Sequence, residues 1–249
     1  MTEISLAGKV ALISGGARRI GAEVSRRLHA EGMNLVIHYH SSEKDAHELQ
    51  RELLEKRADS VMLVQGDILN VAKLRNLVQE TVSEFKRIDV LLNNASTFYP
   101  TPIDEADEKQ WDDLLGTNLK APFFLAQAAA PHLRKSRGCI INMADIHGDR
   151  PLKHHPIYSI AKAGTMMLTK SLARELGPEI RVNGIAPGAI MWPENDMDEM
   201  AKQRIISRTP LKASGNPDDI ARTVLFLVKD APFVTGHVIP VCGGRSVML

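Results

Sequence analysis

Apolar residues along this chain fall into short unbroken runs separated by longer stretches where they recur every third or fourth position. The runs cover residues 9–14, 35–39, 61–65, 88–92, 139–143, 181–185 and 237–241. Each reads as a strand buried on both faces. The periodic stretches read as helices. They follow the glycine turn after the first run through Arg27 to a stop at Gly32, then cover 42 to about 57, 70 to about 85, 107–133, 157–176 and 217–228. Asn70 is placed to cap its helix, and Pro122 and Pro131 are expected to bend the one over 107–133. A polar, Met-rich segment over 192–207 interrupts the alternation. Strand alternating with helix predicts a parallel sheet with helices on both faces. No linker composition, low-complexity tract or repeat divides the 249 residues, so they are read as one α/β domain of about seven strands.

Composition narrows the function classes. Lysine and arginine nearly balance aspartate and glutamate, at a formal net charge of +1. That argues against a general nucleic-acid binder and against a membrane-surface protein. No apolar run approaches the length of a membrane span. The two cysteines, Cys139 and Cys242, lie in strand-like segments without metal-ligand spacing. They read as reduced core thiols of a cytoplasmic protein. The short polar amino terminus has no signal-peptide pattern.

Several residues carry candidate chemistry. Tyr158 and Lys162 stand four apart in the helix over 157–176, hence on one face with Cβ atoms roughly 5–6 Å apart. A lysine ammonium there favours the phenolate, which would make the pair an acid/base unit. An exposed Tyr and Lys on an amphipathic helix would look the same. Gly15, Gly16 and Gly21 join the first strand to the first helix, where a tight turn brings backbone close to a pyrophosphate at the helix amino terminus. The second strand ends His38-Tyr39-His40-Ser41-Ser42 without the acid that would bind a ribose 2′-hydroxyl. Hydroxyls, imidazoles and a helix start suit a 2′-phosphate instead, within reach of Arg18. The histidines lack convergent cysteine or carboxylate partners, so no metal is expected. Asp67-Ile68 after the third strand fits an adenine ring or a helix cap. Asn93-Asn94-Ala95 closes a central strand at the end where ligands bind in such sheets.

Taken together, Gly15 and Gly21, Asn93-Asn94-Ala95, Asn118, Tyr158 with Lys162, and Pro187-Gly188 resemble, in order and spacing, the short-chain dehydrogenase/reductase family. The resemblance covers essentially the whole chain. It implies a single Rossmann-type domain, usually a homotetramer, that moves hydride between NAD(P)(H) and a small substrate. It implies Tyr158 as proton donor, Lys162 as binder of the nicotinamide ribose and tuner of Tyr158, and Asn118 as anchor of a water-linked proton path. The implied cofactor contacts are Gly15, Arg18, Arg19, Ile20, Gly21, His38, Tyr39, His40, Ser41, Ser42, Asp67, Ile68, Asn94, Ala95, Ser96, Met143, Tyr158, Lys162, Pro187, Gly188 and Ile190.

Two departures from the general family pattern point to one branch. Arg19 replaces the middle glycine of the nucleotide turn, and Asp145 replaces the serine usually found thirteen residues before the tyrosine. Both are similar to pteridine reductases, as are His38-Tyr39-His40 and the stretch over 94–102. That branch implies Arg19 at cofactor phosphate and pterin, Ser96 at both ligands, and Phe98 stacked on the pterin. Asp145, Tyr158 and Trp192 complete the expected substrate set. An aromatic face suits a flat heterocycle, and an acid beside the tyrosine suits a C=N reduction in which a ring nitrogen gains a proton. Core packing for Phe98 and a turn cap for Asp145 are the plainer roles.

The expectation is an NADPH-dependent oxidoreductase that reduces dihydropterins or dihydrofolate, and also oxidised pterins, to the tetrahydro form. A carbonyl-reducing member, such as a 3-oxoacyl reductase, is the rival, and a silent NADP(H) sensor the third reading. Ser41 stands where related reductases carry an arginine. A substrate lid is expected at about 190–210, and the carboxyl end over 245–249 is expected near a neighbouring subunit's site.

Overall fold

A computed structural model describes residues 5–192 and 198–248. Seven strands form one sheet: β1 (Val10–Ser14), β2 (Asn34–Tyr39), β3 (Val61–Gln65), β4 (Val90–Asn93), β5 (Cys139–Met143), β6 (Arg181–Pro187) and β7 (Val238–Val241). All neighbouring pairs are parallel, in the order β3-β2-β1-β4-β5-β6-β7. The eight α-helices of the described residues are α1 (Arg19–Ala30), α2 (Glu43–Lys56), α3 (Val71–Phe85), α4 (Glu108–Leu115), α5 (Ala121–Ser136), α6 (Pro156–Leu176), α7 (Glu199–Ser207) and α8 (Pro217–Lys229). This is a single Rossmann-like α/β domain.

Successive strand residues point to opposite faces, so each strand feeds two cores. Ala11, Ile13, Leu35, Ile37, Leu92 and Ile141 join residues of α1, α2 and α8 on one side. Leu12, Val36, Leu91, Ile140 and Val182 join residues of α3, α5 and α6 on the other. The expected strands and most helices are present, with β6 running two residues further, to Pro187. Asn70 caps α3 through bonds from the Ala72 and Lys73 amides.

The stretch over 107–133 departs from the single bent helix expected. Asp107 opens α4 with a capping box to Gln110, a five-residue π-turn follows at Gly116–Lys120, and α5 starts at Ala121 and continues through Pro131. Pro122 supplies no N–H to the carbonyl four residues back, that of Asn118. Of the expected lid, 193–197 lies outside the described residues, 190–192 follow β6 with Ile190 in the core, and α7 with the turn after it covers 199–210. No helix of the described residues is long and apolar enough to cross a membrane.

The strand order reverses direction between β1 and β4, and the carboxyl ends of these two strands open a crevice. The glycine turn packs tightly there. A Cβ on Gly21 would lie 2.3 Å from the Gly15 carbonyl oxygen and 2.8 Å from Asn94 Nδ2. Gly21→Ala is therefore expected to lose about 1–3 kcal/mol of stability, the usual cost of overpacking. Urea denaturation of both proteins measures it, and an unchanged midpoint would show that the turn gives way freely.

Candidate active site

The turn after β1 is held from both neighbouring strands. Asn94, just past β4, donates from Nδ2 to the carbonyls of Ser14 (3.2 Å) and Gly15 (2.7 Å), and its amide donates to Ser14 Oγ. From β2, His38 Nδ1 accepts from the Gly15 amide at 3.3 Å while Nε2 lies 3.0 Å from the Gly66 carbonyl. A carbonyl only accepts, so Nε2 carries the proton and the ring is neutral. Burial, the largest influence, pulls the His38 pKa down and agrees with that state. The His38 and Tyr39 side chains are both buried, His38 as a clamp on the turn and Tyr39 in the core, so any cofactor contact of theirs runs through the backbone.

Arg19 occupies the glycine position of the motif with φ 53°. A side chain in that left-handed region costs roughly 1–2 kcal/mol. Its Nη2 donates to the Trp192 carbonyl at 3.2 Å, joining the start of α1 to the segment after β6. Arg18 Nε lies 3.5 Å from Asp45 Oδ2, in the first turn of α2. His40 and Ser41 are exposed, and Ser42, at the start of α2, uses no side-chain oxygen in capping. Asp67 caps a local turn by accepting from the Leu69 amide at 2.9 Å, and Ile68 packs partly against the core. Ile20 and Ala95 are half-buried beside the turn, and Pro187-Gly188 ends β6 against Val241. The Ile190 side chain lies in the core, where a Cβ on Gly215 would come within 2.6 Å of it, which leaves its backbone for any cofactor contact.

Pro156 begins α6, and Tyr158 and Lys162 share its inward face. Tyr158 OH donates to Asp145 Oδ2 at 2.8 Å, and Asp145 Oδ1 accepts from the His147 amide at 2.8 Å. Asp145 is therefore a turn cap through one oxygen and a partner of the tyrosine through the other. Lys162 Nζ donates to the Met143 carbonyl at 2.9 Å and lies 5.6 Å from the Tyr158 ring centre. Met143 thus acts through its backbone. Burial pulls the Lys162 pKa down to about 8, with Asp145 opposing. Burial first, then the Asp145 charge and hydrogen bond, push the Tyr158 phenol well above its usual 10. The lysine was expected to favour phenolate; in this arrangement burial and Asp145 outweigh it and favour the protonated phenol.

Asn118 lies within the π-turn. Its backbone carbonyl accepts from the Thr165 hydroxyl at 2.8 Å. Its Nδ2 donates to the Leu114 and Thr97 carbonyls, and its Oδ1 accepts from Ser96 Oγ at 2.6 Å. The loop bearing Ser96 and Phe98 is thereby fastened to the helices. Phe98 is 49% exposed, its ring edge-on to Tyr158 at 4.8 Å and stacked parallel on His155 at 4.7 Å. The sequence pattern did not single out Thr165 or His155. The only available signal was position, since Thr165 and His155 lie on or beside the face of α6 that carries Tyr158. No cluster of metal-ligating side chains occurs among the described residues.

A family model described as enoyl-(acyl carrier protein) reductase matches residues 15–246. The chain is 36% identical over 240 residues to 3-oxoacyl-[acyl-carrier-protein] reductase FabG of Staphylococcus aureus, covering 95% of this chain and 97% of that protein. It is 34% identical over 279 residues to pteridine reductase 1 of Leishmania tarentolae, covering 96% of each. It is 37% identical over 252 residues to the (2S)-[(R)-hydroxy(phenyl)methyl]succinyl-CoA dehydrogenase subunit BbsD of Thauera aromatica, covering 98% and 99%.

The lysine gives a direct test. Its folded pKa of about 8 lies below the ordinary 10.5, so between those values the unfolded chain binds a proton that the folded chain has released. Stability from this group therefore rises with pH across that window. NMR of ¹³Cε-lysine protein, with Lys162→Met to assign the signal, should show a midpoint near 8. Asp145→Asn should move it lower still, because the aspartate raises it. A midpoint at the ordinary lysine value would refute the desolvated state.

Proposed function

The chain belongs to the short-chain dehydrogenase/reductase family, and we propose that within it this protein is an NADPH-dependent pteridine reductase. The observation that carries the reading is the 2.8 Å hydrogen bond from Tyr158 to Asp145 at the carboxyl end of β5. A ketone needs one polarising donor, which a serine hydroxyl would supply. A pterin C=N bond leaves a ring nitrogen that needs a proton, and the carboxyl group beside the tyrosine suits that demand.

The residues present fit the nucleotide. Gly15 and Gly21 let the turn pack closely against Ala95 and Asn94, α1 starts beside them, and Arg18 with the exposed Ser41 brings donors near the start of α2 for a 2′-phosphate. Bound NADPH supplies the hydride. Lys162 holds positive charge beneath the tyrosine and would bind the ribose, Tyr158 Oη gives its proton to the substrate nitrogen, and a proton taken up from solvent at Asp145 Oδ2 passes back to the phenolate. Phe98 offers a flat face to the pterin, while Arg19, Ser96 and Trp192 border the same crevice. The proposal includes a cytoplasmic homotetramer. Apolar Trp111, Phe123, Ile160 and Met167 stand exposed on the neighbouring α4, α5 and α6, and both cysteines are free.

A second reading is favoured by the 36% identity to FabG: reduction of a 3-oxoacyl thioester. NADPH oxidation measured with dihydrobiopterin, dihydrofolate, dihydromonapterin and a 3-oxoacyl thioester separates the two. The pterins should be the better substrates. Asp145→Asn should lower pterin turnover by about 10²-fold or more, within the range for loss of an acid–base group. Asp145→Ser should remain poor with pterins even where ketone reduction appears. Near wild-type pterin turnover by Asp145→Ser would remove the reason for preferring pterins.

Cofactor preference is a separate outcome. One charge-assisted bond to the 2′-phosphate is worth about 1.5–3 kcal/mol, so kcat/KM should favour NADPH over NADH by at least ~10-fold. Equal values with the two cofactors would contradict it.

A further inference from the structure

We infer that His155 is a substrate-positioning residue, which fixes the Phe98 ring as a platform for a planar heterocycle. The inference rests on the pterin reading and names what makes this site selective for a flat ring.

The backbone before His155 is held in an unfavourable shape. His154 has φ 63°, the left-handed region that a side chain rarely adopts. Three hydrogen bonds hold the segment in place. Thr101, in the loop after Phe98, donates its amide to the His154 carbonyl at 2.7 Å. The Leu152 amide donates to Ser159 Oγ of α6 at 3.1 Å, and the His155 amide donates to the Leu152 carbonyl at 3.1 Å. Strain of this kind persists where its surroundings over-determine it, and such places are often functional. Its result here is that the His155 ring lies parallel to Phe98, 9° from coplanar and 4.7 Å between centres.

The imidazole itself is oriented. His155 Nδ1 lies 3.0 Å from the Lys153 carbonyl, which only accepts, so Nδ1 carries a proton and the ring is held. His155 precedes α6 but its side chain makes no capping bond, so the ring is not needed to start the helix. Phe98 is thus gripped on one face by His155 and on one edge by Tyr158, at 76° and 4.8 Å. The grip sets the plane of Phe98 relative to the phenol that gives up the proton. A stacked heterocycle inherits that orientation, whereas a flexible acyl chain makes no use of it.

The test uses the full-length protein with NADPH, dihydrobiopterin and a 3-oxoacyl thioester. His155→Ala should raise KM for dihydrobiopterin about three- to ten-fold, the size of one aromatic stacking contact. The effect on kcat should be smaller, and NADPH affinity should stay within about two-fold of wild type, a change of less than ~0.5 kcal/mol. His155→Phe, which can stack, should recover most of the loss. Because His155 acts through Phe98, His155→Ala should add little in a Phe98→Ala background. The inference is overturned if His155→Ala leaves pterin KM unchanged, if His155→Phe is as impaired as His155→Ala, or if pterin and NADPH binding weaken alike. If the wild-type protein reduces no dihydropterin, the proposed function fails and this inference with it. Wild-type pterin turnover with an insensitive His155→Ala sinks this inference alone.

Discussion

Lys162 takes its ammonium almost wholly out of water, with 2% of the residue exposed, and an uncompensated buried charge costs several kcal/mol. The surroundings are arranged to compensate it. The Met143 carbonyl turns toward Nζ from the last position of β5, and the Asp145 charge two residues later favours the protonated state. The turn carrying Asp145 must then press against α6 itself. Gly148 permits this: a Cβ there would sit 2.8 Å from the Lys162 carbonyl carbon. On another side of α6, Gly164 lets Leu119 of the π-turn approach, since a Cβ would lie 2.6 Å from its side chain. The tyrosine, the aspartate and the π-turn converge because the helix bearing the lysine can be approached so closely.

Strand and helix positions were legible because burial on both faces leaves unbroken apolar runs, and period leaves its mark on helices. The Tyr158–Lys162 pair was legible for the same reason, since i and i+4 fix a common face without knowledge of the rest. What escaped were contacts between segments distant in sequence. His38 looked like a ligand residue because it ends β2, and only the packed sheet shows its two nitrogens engaged by Gly15 and Gly66. The π-turn escaped because periodicity over 107–133 is nearly continuous. Pro122 was read as a bend, yet its consequence is a carbonyl at Asn118 that another helix satisfies through Thr165.

Asp145 shows how one residue answers two local questions at once. Its backbone position after β5 calls for a turn cap, and one carboxylate oxygen meets that call. The second oxygen is thereby aimed at Tyr158. A serine has one oxygen for the two tasks. On the proposed function, the exchange of serine for aspartate would change the proton supply without dismantling the turn, and so redirect a common reductase scaffold from carbonyls toward ring nitrogens.

Phe98 has one face covered by His155, while 49% of the residue remains open to solvent. A single wall is half of a slot. On the proposed function, the opposite wall would be supplied by the bound nucleotide, so the substrate pocket would not exist in finished form until the nucleotide had entered. Catalysis would then run as a compulsory sequence, with nucleotide on first and off last. Excess pterin, caught by the half-built slot before the nucleotide arrives, would compete with the coenzyme and throttle the reaction at high substrate.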